Sequence, residues 1–434
     1  MTGAFGGAFS SLQVRDYRIL WWGGLFSFIS VQMQFLLRGI LAWNLTEREG
    51  ALGLVYLCFG LALLIATPLG GVATDRFSKR RILILSQGTM VAAAVGMGLV
   101  VVLDVAQFWM LLISAMAQGT AFGFFGPSRV ALASAYVGRD QLGNAIALSL
   151  LSMNGTRVFA PAMAGVLAGI ATIGIGGAYL IGAAFSLASL GFLLRLPAEE
   201  RAEAMTPAAS PRRGNPLDDI VDGVRYVARK PPLRRLVVTS FLVIMFGFNY
   251  VAFYPAMVEG VFGLDDTWVG YISSASAIGA VAVAVPLAGK ADSPWAKTAM
   301  VFGGVLFGIG VVGFGIAPSF WAAFVIIMFT GAATTVFQSL SNTLALTMTD
   351  DSHQGRVQSL MQLSFAGFGL AAAPLGFLAE VIGLRAAIVV MGTVTVTAIG
   401  FYTAGEGGLA TIRPDMRPDS VIPDDLDRPS IART

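Results

Sequence analysis

Apolar residues in this chain arrive in long unbroken runs, without alternation and without a broad polar face. The first six runs cover roughly Ile19 to Trp43, Leu52 to Ala73, Ile82 to Leu103, Phe108 to Phe125, Ile146 to Gly169 and Ala178 to Leu194. A polar gap follows. Six more cover roughly Leu236 to Val258, Val269 to Ala288, Thr298 to Ala317, Phe320 to Leu340, Leu360 to Ala379 and Ala386 to Thr403. Each is close to the ~20 residues with which an α-helix crosses a ~30 Å hydrocarbon core. Strands of a membrane barrel are about half as long and alternate in polarity. The pattern predicts an all-α membrane protein of about twelve transmembrane helices in two six-helix halves.

The gap from Pro197 to Pro232 is rich in Pro, Ala and charge, and it separates the two sets. It contains one helical signal. Asn215-Pro216 reads as an N-cap followed by proline at the first helical position, and Leu217, Ile220, Val221, Val224 and Val227 fall at amphipathic spacing. The expected domains are therefore residues 1–195, a cytoplasmic linker over 196–233 with a helix along the membrane surface, a second half over 234–404, and a tail over 405–434. The tail is Pro-, Asp- and Arg-rich with little to bury, so disorder is expected there.

The halves carry an internal repeat. At an offset of 212, Phe125, Leu132, Ala133, Gly143, Leu148, Leu151, Ser152 and Gly155 meet Phe337, Leu344, Ala345, Gly355, Leu360, Leu363, Ser364 and Gly367. At a similar offset Pro68-Leu69, Gly71 and Ala73 meet Pro286-Leu287, Gly289 and Ala291. Parallel halves related by an axis along the membrane normal place a substrate site between them near mid-membrane.

Composition agrees with the pattern: 56% of the 434 residues are hydrophobic, 12% are charged, and mean hydropathy is +0.75. A net charge of +3 and a pI near 9.1 would suit nucleic acid, but the basic residues sit where membrane topology wants them. Of 28 Lys and Arg, two (Arg38 and Arg157) read as intramembrane and two (Arg48 and Arg385) as outer-loop residues, which leaves 24 on one side. That side is predicted to be cytoplasmic, and an even number of spans puts both termini there. Arg15, Asp16 and Arg18 lead directly into a full-length span, so no cleavable signal is expected. The lone Cys58 excludes an internal disulfide and a multi-cysteine metal site.

The loop Gly71-Val-Ala-Thr-Asp75-Arg76-Phe-Ser-Lys79-Arg80-Arg81 resembles the signature loop of the major facilitator superfamily. Gly71 permits close helix approach, Asp75 can meet helix ends and cations, and the basic cluster suits the anionic leaflet. Further stretches are Pro127-Ser128-Arg129, Gln141-Leu-Gly-Asn144-Ala145-Ile146, Asn154-Gly-Thr-Arg157 with Pro161 and Gly165, and Asp222-Gly223-Val-Arg225-Tyr226. They resemble the enterobactin-exporter and macrolide-efflux branch. The resemblance implies a proton-linked exporter of hydrophobic or siderophore-like compounds in a bacterial inner membrane, with Gly71, Asp75, Arg76, Lys79, Arg80 and Arg81 forming a conformational latch. There are departures from the superfamily's pattern. Ala115 stands where antiporters often carry an Arg three residues before Gln118-Gly119, Ala160-Pro161 replaces Gly-Pro, and the second-half loop is reduced to Gly289-Lys290-Ala-Asp292.

A charge at bilayer depth costs at least ~2.5 kcal/mol, so each intramembrane arginine needs a partner or a wet cavity. Arg157 lies one turn before Pro161, where it either satisfies freed backbone or meets substrate. Arg38 either snorkels to water or lines the cavity with Gln32 and Gln34. Asn154 and, in the second half, Asn249, Tyr250, Gln338, Asn342 and Gln362 complete the candidate pathway as uncharged groups that donate and accept. With the only histidine, His353, in a cytoplasmic loop, the candidate proton carriers are Asp75, Glu259 and Glu380.

No intramembrane carboxylate pair, triad or Gly-Lys phosphate loop is present, which argues against an enzyme. The expected function is secondary transport, outward by resemblance, with import of a metabolite or a non-transporting sensor as the alternatives. The expected partners are a small-molecule substrate, lipid and protons, with no nucleic acid, cofactor or metal, and the chain is expected to act as a monomer.

Overall fold

The computed structural model describes residues 10–197, 216–287, 295–350 and 353–405; the predicted tail beyond 405 and the linker stretch 198–215 lie outside them. The chain forms helices α1 (Arg15–Thr46), α2 (Glu49–Arg76), α3 (Lys79–Val102), α4 (108–137), α5 (139–169) and α6 (Gly174–Leu194). The linker helix α7 (Pro216–Arg229) follows, then α8 (231–261), α9 (Asp266–Leu287), α10 (Ala296–Ile316), α11 (Phe320–Thr347), α12 (Gln354–Ile382) and α13 (Leu384–Gly405). Ten of the described helices are long and apolar enough to cross a membrane, and Gly367–Ile382 within α12 is a shorter apolar stretch. The architecture is the all-α membrane bundle that the hydrophobic runs predict.

Local chemistry sets the boundaries. Ser78 caps α3 by accepting from the Arg81 N–H at 3.3 Å, and Ser319 caps α11 by accepting from the Ala322 N–H at 3.4 Å. Gly138, at φ 70°, breaks the chain between α4 and α5 in a conformation that a β-carbon disfavours. The α8 helix is irregular. It passes from α (Pro231–Leu242) to π (Val243–Gly247), to 3-10 (Phe248–Phe253) and to π again (Ala256–Val261).

The linker helix forms at the predicted place and is fastened to the second half. Asp222 pairs with Arg356 at 2.6 Å, and Tyr226 donates to Asp350 at 2.8 Å. Val227 is buried, whereas Val221 and Val224 are about half exposed.

Within each half, small residues let backbones touch. A β-carbon on Gly119 of α4 would collide with the Phe59 carbonyl of α2, and one on Gly331 of α11 with the Ser276 carbonyl of α9. These glycines are 212 residues apart, so the sequence repeat is a repeat of helix packing. The halves themselves meet along two seams, α2 with α12 and α5 with α9. In the first, Gly53 lies against Ala372 and Ala373, and Gly60 against Gly369; in the second, Gly165 lies against Gly270 and Gly169 against Thr267. The repeat that relates α2 to α9 relates one seam to the other. These approaches fall toward the end carrying the α1–α2 turn, the far end, opposite the linker.

Candidate substrate pathway

Polar side chains at the far end bridge the seams. Arg48 grips Glu380 with its Nε at 3.2 Å, and the Gly50 N–H donates to the same carboxylate at 3.2 Å. Asn44 donates to Asp266 at 3.1 Å, and the Thr267 hydroxyl donates to the Gly169 carbonyl at 3.2 Å. Glu380, a candidate proton carrier, is therefore held as a seam residue in this conformation.

Trp43, Asn44, Glu47, Glu259, Asp265 and Asp266 line one recess beside the second seam. Burial, followed by the neighbouring Asp266, Asp265 and Glu47 carboxylates, pushes the Glu259 carboxyl up to about 9. Glu259 Oε1 and Asp266 Oδ1 are buried without a donor among the described residues. A proton held between the two carboxyls satisfies both.

Deeper in the first half, Arg38 is 1% exposed. Its Nε donates to the Gln34 carbonyl at 3.1 Å and its Nη2 to Gln118 Oε1 at 2.9 Å, while the guanidinium lies 4.7 Å from the Phe59 ring centroid. Gln118 donates in turn to Gln34, and Gln34 to the Ser30 hydroxyl at 3.0 Å. The structure thus gathers Gln34 and Arg38, each 1% exposed, into one network linking α1, α2 and α4, in which Arg38 Nη1 alone is buried without a partner among the described residues. Gln32, two residues earlier than Gln34, is half-buried on a different face of α1.

The central aromatic contact spans the halves. Phe35 of α1, Tyr56 of α2 and Phe368 of α12 form a cluster with centroids 4.7–5.6 Å apart. Asn249 in the irregular stretch of α8 donates to the Phe368 carbonyl at 3.2 Å and to the Met245 carbonyl at 2.5 Å, leaving its Oδ1 buried without a partner. Tyr250 is buried edge-on to Tyr254, Phe307 and Phe314. Single π and 3-10 turns inside a longer helix are frequent at functional sites. On α5, Arg157 is half-buried midway along the helix, and on α11 Gln338 and Asn342 are half-buried in the linker-side half. The side chains of Asn154 and Gln362 lie outside the described residues.

In the signature loop, Arg80 donates from Nε and Nη2 to the Leu196 and Leu194 carbonyls, each at 2.9 Å, capping the C-terminus of α6. The Thr74 hydroxyl donates to the Gly71 carbonyl at 2.7 Å; Arg76 and Arg81 are exposed, and Lys79 is half-buried. The Asp75 side chain lies outside the described residues.

Residues 6–409 match the family described as transmembrane secretion effector. The chain belongs to that family, within the major facilitator superfamily. This secretion effector is 25% identical over 364 residues to the enterobactin exporter EntS of Shigella boydii serotype 18 and to that of Escherichia coli O127:H6, the match covering 83% of each chain. Its fold is similar to that of a bacterial homologue of the human lysosomal transporter Spinster in an inward-facing, unoccupied conformation. The TM-score there is 0.69 at 16% identity, covering 92% of this chain and 98% of that one. It is also similar to the nucleoside transporter NupG, with a TM-score of 0.65 at 14% identity over 90% and 99% of the two chains. The protein is a multi-pass membrane transporter of the major facilitator type, and its relatives and structural neighbours are transporters.

Two features of the secretion effector escape a reading of its sequence. The seam aromatics Phe35, Tyr56 and Phe368 carry no signal among 30 phenylalanines and 9 tyrosines. Arg129 counts as a loop residue when only the apolar run ending at Phe125 is considered, but the helix continues to the Gly138 break. Arg129 therefore stands on the membrane-spanning helix Phe108–Gly138, in its linker-side part, and not in a loop.

Proposed function

We propose that this transporter exports a small apolar or siderophore-like compound across a bacterial inner membrane by alternating access, with the linker and both termini in the cytoplasm. The observation that carries this reading is the asymmetry between the two ends. The backbone-to-backbone approaches between the halves lie toward the far end, at Gly53, Gly60, Gly165 and Gly270, whereas Gly126 of α4 and Gly143 and Gly155 of α5 do not touch the other half. Such a molecule is closed to the outside and ready to load from the cytoplasm. The enterobactin exporters among its relatives supply the class of cargo. Everted membrane vesicles containing the protein are expected to accumulate a catecholate siderophore when energised, and an uncoupler is expected to abolish the accumulation. Accumulation confined to right-side-out vesicles would reverse the direction.

Orientation has its own test. With Cys58 replaced by serine, cysteines at Arg48 and Arg385 are expected to react with a membrane-impermeant maleimide in intact cells, and cysteines at Lys79, Arg213 and His353 only after permeabilisation. Labelling of Lys79 or His353 in intact cells would invert the topology.

A protonation-dependent gate is assigned to the Glu259–Asp266 pair. A proton shared between the two carboxyls favours the closed far end, and its loss to the outside favours opening. Because the folded-state value of Glu259 lies above the ordinary 4.5, its stabilisation is complete below that value and is lost as pH rises through about 9. The thermal midpoint of the closed protein in nanodiscs is expected to fall across that window, and Glu259→Gln to flatten the fall. A pH profile that is the same in both proteins would remove the pair from the mechanism.

A further inference from the structure

Most intramembrane and seam cations of this protein have partners. Arg38 is hydrogen-bonded within its network, Arg48 holds Glu380, Arg385 donates to the Gly315 and Ala317 carbonyls at 3.2 and 2.8 Å, and Arg157 is engaged. Arg129 differs. It sits on α4 nine residues before Gly138, about 13 Å inside the helix end at 1.5 Å per residue. Its guanidinium takes no hydrogen bond and no carboxylate among the described residues, and its Nε is buried without a partner. What it has instead is an aromatic floor, with the Phe28 ring centroid 5.0 Å from Cζ and Phe122 edge-on to Phe28 at 6.2 Å.

The surroundings keep that cation in place and leave one side of it unpacked. Gly24 of α1 lies against the arginine, where a β-carbon would stand 3.4 Å from Cδ and Nη1, so a larger side chain would displace the guanidinium. Around it α1 is fixed to α5 by the Tyr17 hydroxyl donating to the Ala145 carbonyl at 2.7 Å and the Trp21 indole donating to the Leu148 carbonyl at 3.1 Å. Gly126, one turn before Arg129 on α4, faces open space. Gln32 follows Phe28 by one turn of α1 and adds a half-buried amide on the same side. A buried donor left without a partner costs free energy, and an oxyanion placed beside the guanidinium would satisfy it.

We infer that Arg129 is the residue that reads the cargo: it binds a carboxylate or phenolate carried on an aromatic body, with Phe28 and Phe122 taking the aromatic part. The inference rests on the exporter reading only for the direction of movement, because the binding itself is a property of the linker-side opening. A planar guanidinium presents a fork of donors to an oxyanion while its face stays on the Phe28 ring, so one side chain recognises charge and stacks at once. Arg38 also has an unpartnered donor, Nη1, but its Nε and Nη2 are held by Gln34 and Gln118 and the side chain is 1% exposed, so no ligand reaches it in this conformation.

The test uses the full-length protein in nanodiscs and two fluorescent probes that differ at one group, dansyl-phenylalanine and its uncharged carboxamide. The wild type is expected to bind the carboxylate more tightly than the amide. Arg129→Gln should weaken carboxylate binding roughly tenfold or more and leave the amide within about twofold, as expected for the loss of one charge-assisted contact. Arg129→Lys should restore part of the preference, and Gly24→Val should reduce it with the charge retained. Equal weakening of both probes in Arg129→Gln, no weakening of either, or no carboxylate preference in the wild type would overturn the inference. So would failure of both the Gln and Lys variants to fold, because Arg129 would then be holding the bundle together. The same probes in everted vesicles separate the two readings: carboxylate binding that depends on Arg129 without accumulation leaves Arg129 as the reader and removes export.

Discussion

Replacing Gly165 by valine is expected to lower transport roughly tenfold or more while the protein still accumulates in the membrane. A β-carbon at this position would collide with the Gly270 backbone and stand 3.2 Å from a Leu36 methyl, and backbone on backbone leaves nothing flexible to move aside. Overpacking of this kind costs about 1–3 kcal/mol, and here it falls on one state only, the one in which α5 and α9 are in contact. A population shift of that size favours the opened far end and starves the carrier of its loading state. Spin labels on α5 and α9 should report a longer mean separation in the variant. Gly96→Val is the control, since a β-carbon there meets nothing within 4 Å. Normal transport by Gly165→Val would mean that the seam does not gate the cycle.

Arg38→Ala is expected to cost about 2–4 kcal/mol of stability, through the partners left unsatisfied and the volume left empty. Gln118 and Gln34 both lose the cation that organises them, in a segment where water is scarce. Arg38→Met should be milder, because a buried charge replaced by an apolar group of similar length also removes the cost of burying the charge. Thermal unfolding of the purified variants checks the order, alanine below methionine below wild type. An alanine variant as stable as the wild type but selectively defective for anionic cargo would move Arg38 into the pathway.

Much of the fold was legible because a bilayer restricts what a sequence can do. The runs from Ile19 to Thr403 mark helices without tertiary information, and Asn215-Pro216 with the spacing from Leu217 to Val227 marks a further helix that the structure contains. The repeat was legible for a related reason: Gly119 and Gly331, at one offset, perform one contact twice. The site was less legible. Residue type identifies Arg38 as expensive, but only the positions of Gln34 and Gln118 decide that the cost is met inside the half. Arg129 was lost to a boundary, because the apolar run stops at Phe125 while hydrogen bonding carries the helix on to Gly138. The irregular turns of α8 have no signature at all, since Val243–Gly247 reads like any other apolar turn.

The two seams also bear on how cheaply the protein can change state. An interface built from long side chains gains contact energy on closing but immobilises rotamers, roughly 0.5–2 kcal/mol for each larger side chain. At Gly53, Gly60, Gly165 and Gly270 the closing surface is largely main chain already held rigid in helices, so little disorder is surrendered when the halves meet and little is recovered when they part. The enthalpy of such a contact falls off steeply with separation, which makes the closed end well defined without making it deep. Two states separated by a small gap are the condition under which a ligand of modest affinity decides which one is occupied.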